Sequence, residues 1–212
     1  MMQIEVSQQL AKPLATHLRH SAMEPADMVW RAELLWVGRE ACVVSQEQFT
    51  QYIFVVCGLG KAEFAQFPQL FADRLWREAA AICKQADLYN RDILIKHLGE
   101  LCRKQQYRLN PEPMEEGKLM KVMEKLERRF LYERKPLPRD GKSAFEFSFG
   151  INSRKPKNME GEDTPSAAEA FGDLCLNLLE ARRSAEQEML QVRLAEEDNI
   201  VRVDFSRRST RD

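Results

Sequence analysis

The sequence lacks the patterns that would place the protein in a membrane or outside the cell. No apolar run approaches the length of about eighteen residues that a membrane-spanning helix needs. The first twelve residues contain no basic start followed by an apolar stretch, so we expect no signal peptide. The five cysteines are widely spaced and form no Cys-x-x-Cys pair, which favours free thiols in a reducing compartment. These absences predict a cytoplasmic protein that does not use a membrane as a partner.

The sequence also lacks the common catalytic and nucleotide-binding motifs. A P-loop, a dinucleotide-binding glycine pattern, the HExxH zinc motif and the Gly-x-Ser-x-Gly elbow are all absent. The Gly-Lys-Ser triplet at 141–143 has neither the earlier glycine of a P-loop nor an apolar strand before it. Three histidines and scattered cysteines give no ligand set for a metal. We therefore expect no catalytic residue, no cofactor and no metal site.

What the sequence does contain is one stretch of dense β-type patterning in its first third. Apolar and polar residues alternate over 30–34, which is the two-residue period of a strand with one solvated face. A turn at Gly38 leads to a short return strand at 41–44. The apolar run 52–57 has the length and composition of a central strand. The pattern predicts an antiparallel meander of three strands, to which residues 2–6 are a candidate fourth.

Twelve residues of this stretch form a wider pattern: Trp30, Ala32, Leu34, Val37, Arg39, Val43, Val44, Thr50, Tyr52, Val55, Gly58 and Leu59. The pattern resembles an uncharacterised bacterial family, a domain of unknown function that is loosely associated with plasmids and mobile elements. The resemblance extends over roughly residues 1–110. Most of the shared positions are core-forming, so the resemblance implies a fold and carries over no catalytic residue.

Beyond the meander the apolar spacing is mostly that of helices. Thr164 and Pro165 suit the N-cap and first position of a long helix. The break at 110–113 ends one helix and opens another. The predicted elements are helices over 62–84, from about 90 to 106, through 119–130 and over 164–196, and strands over 145–151 and 201–205.

These elements predict an α+β fold, with a small antiparallel β-meander covered by helices. A helix-rich C-terminal half would end in a late β-pair. We expect residues 1–110 to form a sheet-plus-helix core, and residues 111–212 a helical and β extension packed on it. A single domain over 1–212 stays open as the alternative.

Charge is placed unevenly along the chain, although the net charge is −1. Residues 86–157 contain 17 basic and 11 acidic residues, whereas residues 158–198 contain 3 basic and 11 acidic residues. One interpretation is that the two segments pack together and neutralise each other. The other is a basic surface for nucleic acid, with Tyr107, Phe130 and Tyr132 interspersed. Its candidate residues are Lys118, Lys121, Lys125, Arg128 and Arg129.

One further pair of residues fits an enzymatic pattern. Glu133 and Lys135 form a Glu-x-Lys sequence after an apolar run, which metal-dependent nucleases place on a strand. Such nucleases also need an aspartate on a neighbouring strand, and the nearest upstream candidates, Asp87 and Asp92, fall in helical patterns. We therefore expect Glu133 and Lys135 not to be catalytic.

The sequence thus favours a non-enzymatic, cytosolic bacterial interaction or regulatory protein, and nucleic-acid binding through its basic middle stays open. The resemblance implies the mobile-element origin. One alternative is a metal-dependent nuclease or toxin that acts on nucleic acid. The other is a module that binds a protein partner through the acidic helix at 164–196. The oligomeric state stays open.

Overall fold

The computed structural model describes residues 1–19, 24–84, 91–110, 117–157 and 163–198. The strands are β1 (Met2–Val6), β2 (Met28–Val37), β3 (Glu40–Glu47), β4 (Ile53–Leu59) and β5 (Gln105–Leu109). The helices are α1 (Gln8–Ala11), α2 (Lys61–Ala65), α3 (Phe67–Lys84), α4 (Arg91–Arg103), α5 (Lys118–Leu131), α6 (Gly141–Asn152) and α7 (Ala167–Asp198), with a 3-10 turn at Ala15–His17. This confirms the predicted α+β class.

The five strands form one mixed sheet in the order β4-β3-β2-β1-β5. Strands β2, β3 and β4 pair antiparallel, which confirms the predicted meander. Gly38 makes the β2–β3 turn with φ +64°, a conformation that glycine adopts without strain. Strand β1 is the fourth strand, but it runs parallel to both β2 and β5. The prediction of a purely antiparallel sheet is therefore wrong on this side.

The first face of the sheet holds the larger hydrophobic core, which is covered by α3, α4 and α7. Trp30 lies at its centre and meets Phe54, Phe71 and Phe171 edge to face, at centroid distances of 6.3, 5.7 and 5.8 Å. Phe171 of α7 also stacks on Tyr52, with 4.5 Å between ring centroids. These contacts attach α7 to the sheet, as the predicted apolar stripe requires.

The second face holds a smaller core on the β2–β3–β4 side. Helix α5 packs on β2 and β3 there, and α6 packs on β4. The buried apolar residues of this core include Leu35, Val44 and Val55 from the sheet, with Leu126 and Phe147 from the two helices. Helices from beyond residue 110 therefore cover both faces of the sheet. The division of the chain at residue 110 stays a prediction.

The predicted strand at 145–151 is wrong, because these residues lie in α6. Asp140 caps this helix, and its carboxylate accepts hydrogen bonds from the backbone N–H groups of Lys142 and Ser143 at 3.0 and 2.9 Å. The buried positions are Ala144, Phe147, Ser148 and Asn152, which have helical spacing. The other half of the predicted β-pair, 201–205, lies outside the described residues.

Three predicted helix boundaries also need correction. The helix over 62–84 is interrupted at Gln66 and forms α2 and α3. The next helix ends at Arg103, because Gln105–Leu109 pairs with β1 as a parallel strand. Ser166 rather than Thr164 caps α7, since its hydroxyl accepts from Glu169 N at 3.2 Å while the Glu169 carboxylate accepts from Ser166 N at 2.8 Å.

Two further expectations concern membranes and cysteines. Within the described ranges, no helix has both the length and the apolar character that crossing a membrane requires. All five cysteines are free and buried. Cys42 and Cys57 are fifteen residues apart in the sequence, yet they lie directly opposite each other on β3 and β4.

Candidate functional site

A cleft of about 750 Å³ lies where the N-terminal part of α5 meets the β3–β4 turn, the end of α6 and the start of α7. Apolar side chains such as Val122 and Ile151 form part of its wall. None of the lining residues in the described part of the chain is acidic. Five lining residues are cationic, and we call the site the basic cleft: Lys118, Lys121, Lys125, Arg154 and Lys155.

Helix α5 positions the lysines of the cleft through its periodicity. Leu119, Val122 and Leu126 are buried against the second face of the sheet, and this contact fixes the rotation of the helix. Lys121 and Lys125 are four residues apart and both are exposed, so they extend side by side from the outward face. Packing of the apolar side of α5 therefore determines where its charges point.

Lys118 ties the cleft together at its inner end. Its Nζ donates to the backbone oxygen of Gln51 at 2.8 Å and to Oδ1 of Asn152 at 3.4 Å. The buried Asn152 amide in turn pairs with the backbone of Ile53, accepting from N at 2.9 Å and donating to O at 2.7 Å. Partial burial lowers the pKa of Lys118. Lys118 thus joins α5 to the β3–β4 turn and to the end of α6.

Lys125 lies among other positive charges. Desolvation lowers the pKa of Lys125, and repulsion from Arg154 and Arg129 lowers it further. The Lys125 Nζ and the Arg129 guanidinium also lie 5.6 and 6.0 Å from the centroid of the Phe147 ring. The structure therefore gathers like charges at the surface of α5, where a bound anion would relieve their repulsion.

Most of these charges form no close ion pair with the described carboxylates, although Glu133 attracts Lys125 and Arg128 electrostatically. In the ranges that the structure describes, Lys121, Lys125, Arg128 and Arg154 take part in no ion pair. Lys155 does pair with Glu169 of α7, at 3.0 Å. This contact supports the interpretation that the basic middle and the acidic segment neutralise each other.

The five predicted nucleic-acid-binding residues divide into two groups. Lys118, Lys121 and Lys125 line the cleft. Arg128 is exposed further along α5, and Arg129 is half-buried with its Nε donating to the oxygen of Pro136 at 3.1 Å. The two arginines therefore extend the positive surface towards the C-terminal end of the helix.

The predicted aromatic residues also divide, and sequence reasoning missed three of the charged and aromatic residues of the cleft. Tyr107 is buried beside β1, so its prediction as part of a basic surface is wrong, whereas Tyr132 is exposed. The missed residues are Phe49, Arg154 and Lys155. The run Arg-Lys-Pro-Lys at 154–157 was a visible charge signal, but nothing local in the sequence connects it with α5.

Glu133 and Lys135 lie on irregular chain after α5, and not on a strand. Their side chains form an ion pair with each other at 3.0 Å, which lowers the pKa of Glu133. Asp140, the nearest aspartate downstream, is engaged as the cap of α6. Among the described residues, no group of three His, Cys, Asp or Glu side chains could hold a metal ion. That the pair is not catalytic stays a prediction.

Comparison with known families gives a match in the first half of the chain. Residues 3–101 match the model of a family described as Domain of unknown function (DUF6933). The match confirms the resemblance to an uncharacterised domain in the first half of the chain, and it ends before α5. Phe49 lies inside the matched region, whereas the five cations of the cleft lie outside it. Among curated proteins, no sequence matches this chain.

Proposed function

We propose that this protein is a non-enzymatic interaction or regulatory protein whose basic cleft binds the phosphate backbone of nucleic acid. The observation that carries the proposal is the convergence of five cations on one cleft whose described lining contains no carboxylate. Like charges held close together repel, and the phosphates of a nucleic acid backbone would neutralise them while releasing counterions. Lysines act as mobile point charges towards phosphate, so we expect binding with little dependence on base sequence.

The cellular setting is part of the proposal. Five buried free thiols suit the reducing cytosol. A bacterial host and an origin in a plasmid or another mobile element are supported by the resemblance of the first half of the chain alone.

A second candidate function is the binding of a protein partner through the acidic helix at 164–196. The observation that favours it is the exposure of α7 beyond Leu179. Met189 and Leu190 are each 60% exposed, although apolar residues on a helix are commonly buried. This function would use the outer part of α7 and leave the basic cleft free, so the two candidates can be tested separately.

Charge reversal in the cleft tests the proposal. Lys121→Glu with Lys125→Glu should abolish binding to a labelled oligonucleotide at low salt, because two phosphate contacts become repulsive. The matched control is Lys61→Glu with Lys142→Glu, which makes the same change of net charge at two exposed lysines outside the cleft. The control should keep most of the affinity. Equal loss in both double variants would point to a general charge effect, and no binding by the wild type would overturn the proposal.

A further inference from the structure

We propose that the nucleic acid is single-stranded, and that the rings of Phe49 and Tyr132 stack on its bases at the two ends of the positive surface of α5. This inference rests on the proposed function and adds the class of nucleic acid. It rests on two exposed aromatic side chains, since contacts with phosphate give no reason for exposed rings at these positions. Phe49 is 77% exposed and Tyr132 is 81% exposed, the two highest values for aromatic side chains in the described part of the chain.

Phe49 is presented by a turn that the protein holds in place. The buried carboxylate of Glu47 accepts hydrogen bonds from the backbone N–H of Phe49 at 3.0 Å and of Thr50 at 2.7 Å. The same oxygen, Oε2, accepts from the Thr50 hydroxyl at 2.8 Å. Gln51 completes the turn with φ +59°, and its backbone oxygen accepts from Lys118. A turn organised by a buried carboxylate thus fixes the backbone beneath an exposed ring that lines the basic cleft.

Tyr132 occupies the opposite end of α5, on the side of the helix that carries the charges. Its backbone N–H donates to the oxygen of Arg128 at 3.0 Å, so the helical turn continues to this residue. Tyr132 follows Lys121 by eleven residues and Lys125 by seven, which are close to three and two whole turns. Its ring therefore leaves the helix in nearly the same direction as the two lysines.

The length of α5 suits a short single strand. Lys118 contacts the Phe49 turn through the Gln51 oxygen, and the fourteen steps from Lys118 to Tyr132, at about 1.5 Å each, cover roughly 21 Å. The smallest single-strand sites hold about four nucleotides, and they combine a positive track for the backbone with aromatic rings for the bases. In a duplex the base faces are already stacked on each other, so neither ring could use them. The arrangement therefore favours single strands over duplexes.

Removal of each ring tests the inference. Phe49→Ala and Tyr132→Ala should each weaken binding of a single-stranded thymidine oligonucleotide by at least about fivefold, since one base stack contributes roughly a 5- to 150-fold change. Tyr132→Phe keeps the ring and should bind like the wild type. Leu131→Ala is the matched control, because Leu131 is exposed beside Tyr132 but leaves the helix on another side. All three positions are at the surface, so none of the four variants should change the melting temperature.

Two further probes separate the inference from the proposed function. An abasic strand offers phosphates without bases, so its affinity should be the same for the wild type and the two ring deletions. A duplex of the same length should bind more weakly than the single strand and ignore the ring deletions. If the wild type binds, the charge reversals weaken binding and the ring deletions change nothing, the inference is wrong and the proposed function stands. If the wild type binds neither probe at low salt, the proposed function fails.

Discussion

Replacing Glu78 with glutamine should remove a loss of stability that the wild type undergoes as pH rises towards neutrality. Glu78 lies on α3 beneath the sheet and is only 2% exposed. One carboxylate oxygen accepts from the Tyr52 hydroxyl at 2.9 Å, and the other lies 3.4 Å from the Arg74 guanidinium. Desolvation outweighs both contacts and raises the pKa of Glu78 from 4.5 to about 7.

The raised pKa of Glu78 determines whether stability rises or falls with pH. The unfolded chain releases this proton near pH 4.5, whereas the folded protein retains it until about pH 7. The stabilising contribution of protonated Glu78 is complete below pH 4.5 and is lost as pH rises through 7. Within this window one extra bound proton changes the unfolding free energy by about 1.4 kcal/mol per pH unit, which amounts to roughly 3 kcal/mol across the window.

Urea unfolding at pH 4.5, 6, 7 and 8 measures this contribution. The difference in unfolding free energy between wild type and Glu78→Gln should shift by roughly 3 kcal/mol in favour of the variant from the lowest to the highest pH. Glutamine stays neutral and still accepts from Tyr52, so the variant should be the more stable protein above pH 7. Glu146→Gln, at an exposed position of α6, is the control and should follow the wild-type profile. Parallel profiles for wild type and Glu78→Gln would refute the reasoning.

Three further predictions concern the thiols, the attachment of α7 and the Glu-x-Lys pair. Thiol titration in denaturant without reductant should count five free thiols, and three or fewer would mean that a disulfide forms, for which Cys42 and Cys57 are placed. Leu179→Ala should lower the unfolding free energy by about 2–5 kcal/mol because Leu179 is buried. Leu178→Ala, at the half-buried neighbouring position, should lower it by less. An unchanged melting temperature in both variants would mean that the attachment of α7 does not depend on the burial of Leu179. Wild-type protein with Mg²⁺ should not cleave DNA or RNA, and cleavage that disappears in Glu133→Gln with the fold intact would contradict this.

The β2–β4 meander could be predicted because its pairing is local. Alternation in 30–34 and the apolar run at 52–57 each identify a strand, and the Gly38 turn identifies the first hairpin. Strand β5 could not be predicted in this way. Gln105–Leu109 is mostly polar, and it becomes a strand by pairing with β1, which lies about a hundred residues earlier in the chain. Residues 2–6 were visible as a candidate strand, but nothing local in the sequence indicates that 105–109 pairs with them.

The error at 145–151 has a different cause. Phenylalanines at 145, 147 and 149 alternate like a strand, yet Phe145 and Phe149 are also one helical turn apart and their rings stack at 5.5 Å. The segment satisfies both periodicities, so the capping carboxylate of Asp140 decides between them. Asp140 was visible in the sequence as a candidate helix cap. The strand prediction rested on the alternation of phenylalanines and did not take this cap into account.

The basic cleft could be predicted in part. Lys118, Lys121 and Lys125 were predicted to contact nucleic acid, and all three line the cleft. Arg154 and Phe49 come from other elements, and their approach to α5 depends on the packing of the second face of the sheet. Sequence periodicity describes single elements, so it could suggest the charges of α5 but not the cleft that they help to form.

The salt dependence of oligonucleotide binding tests the central claim most directly. Each phosphate contact on a single strand contributes about −0.7 to the slope of log K against log salt concentration, so three to five contacts predict a slope of roughly −2 to −3.5. Lys121→Ala with Lys125→Ala removes two contacts and should make the slope shallower by about 1.4. A wild-type protein that binds with this slope, and a variant that loses this share of it, would support the basic cleft as a nucleic-acid site. No binding at low salt, or an unchanged slope in the variant, would contradict it.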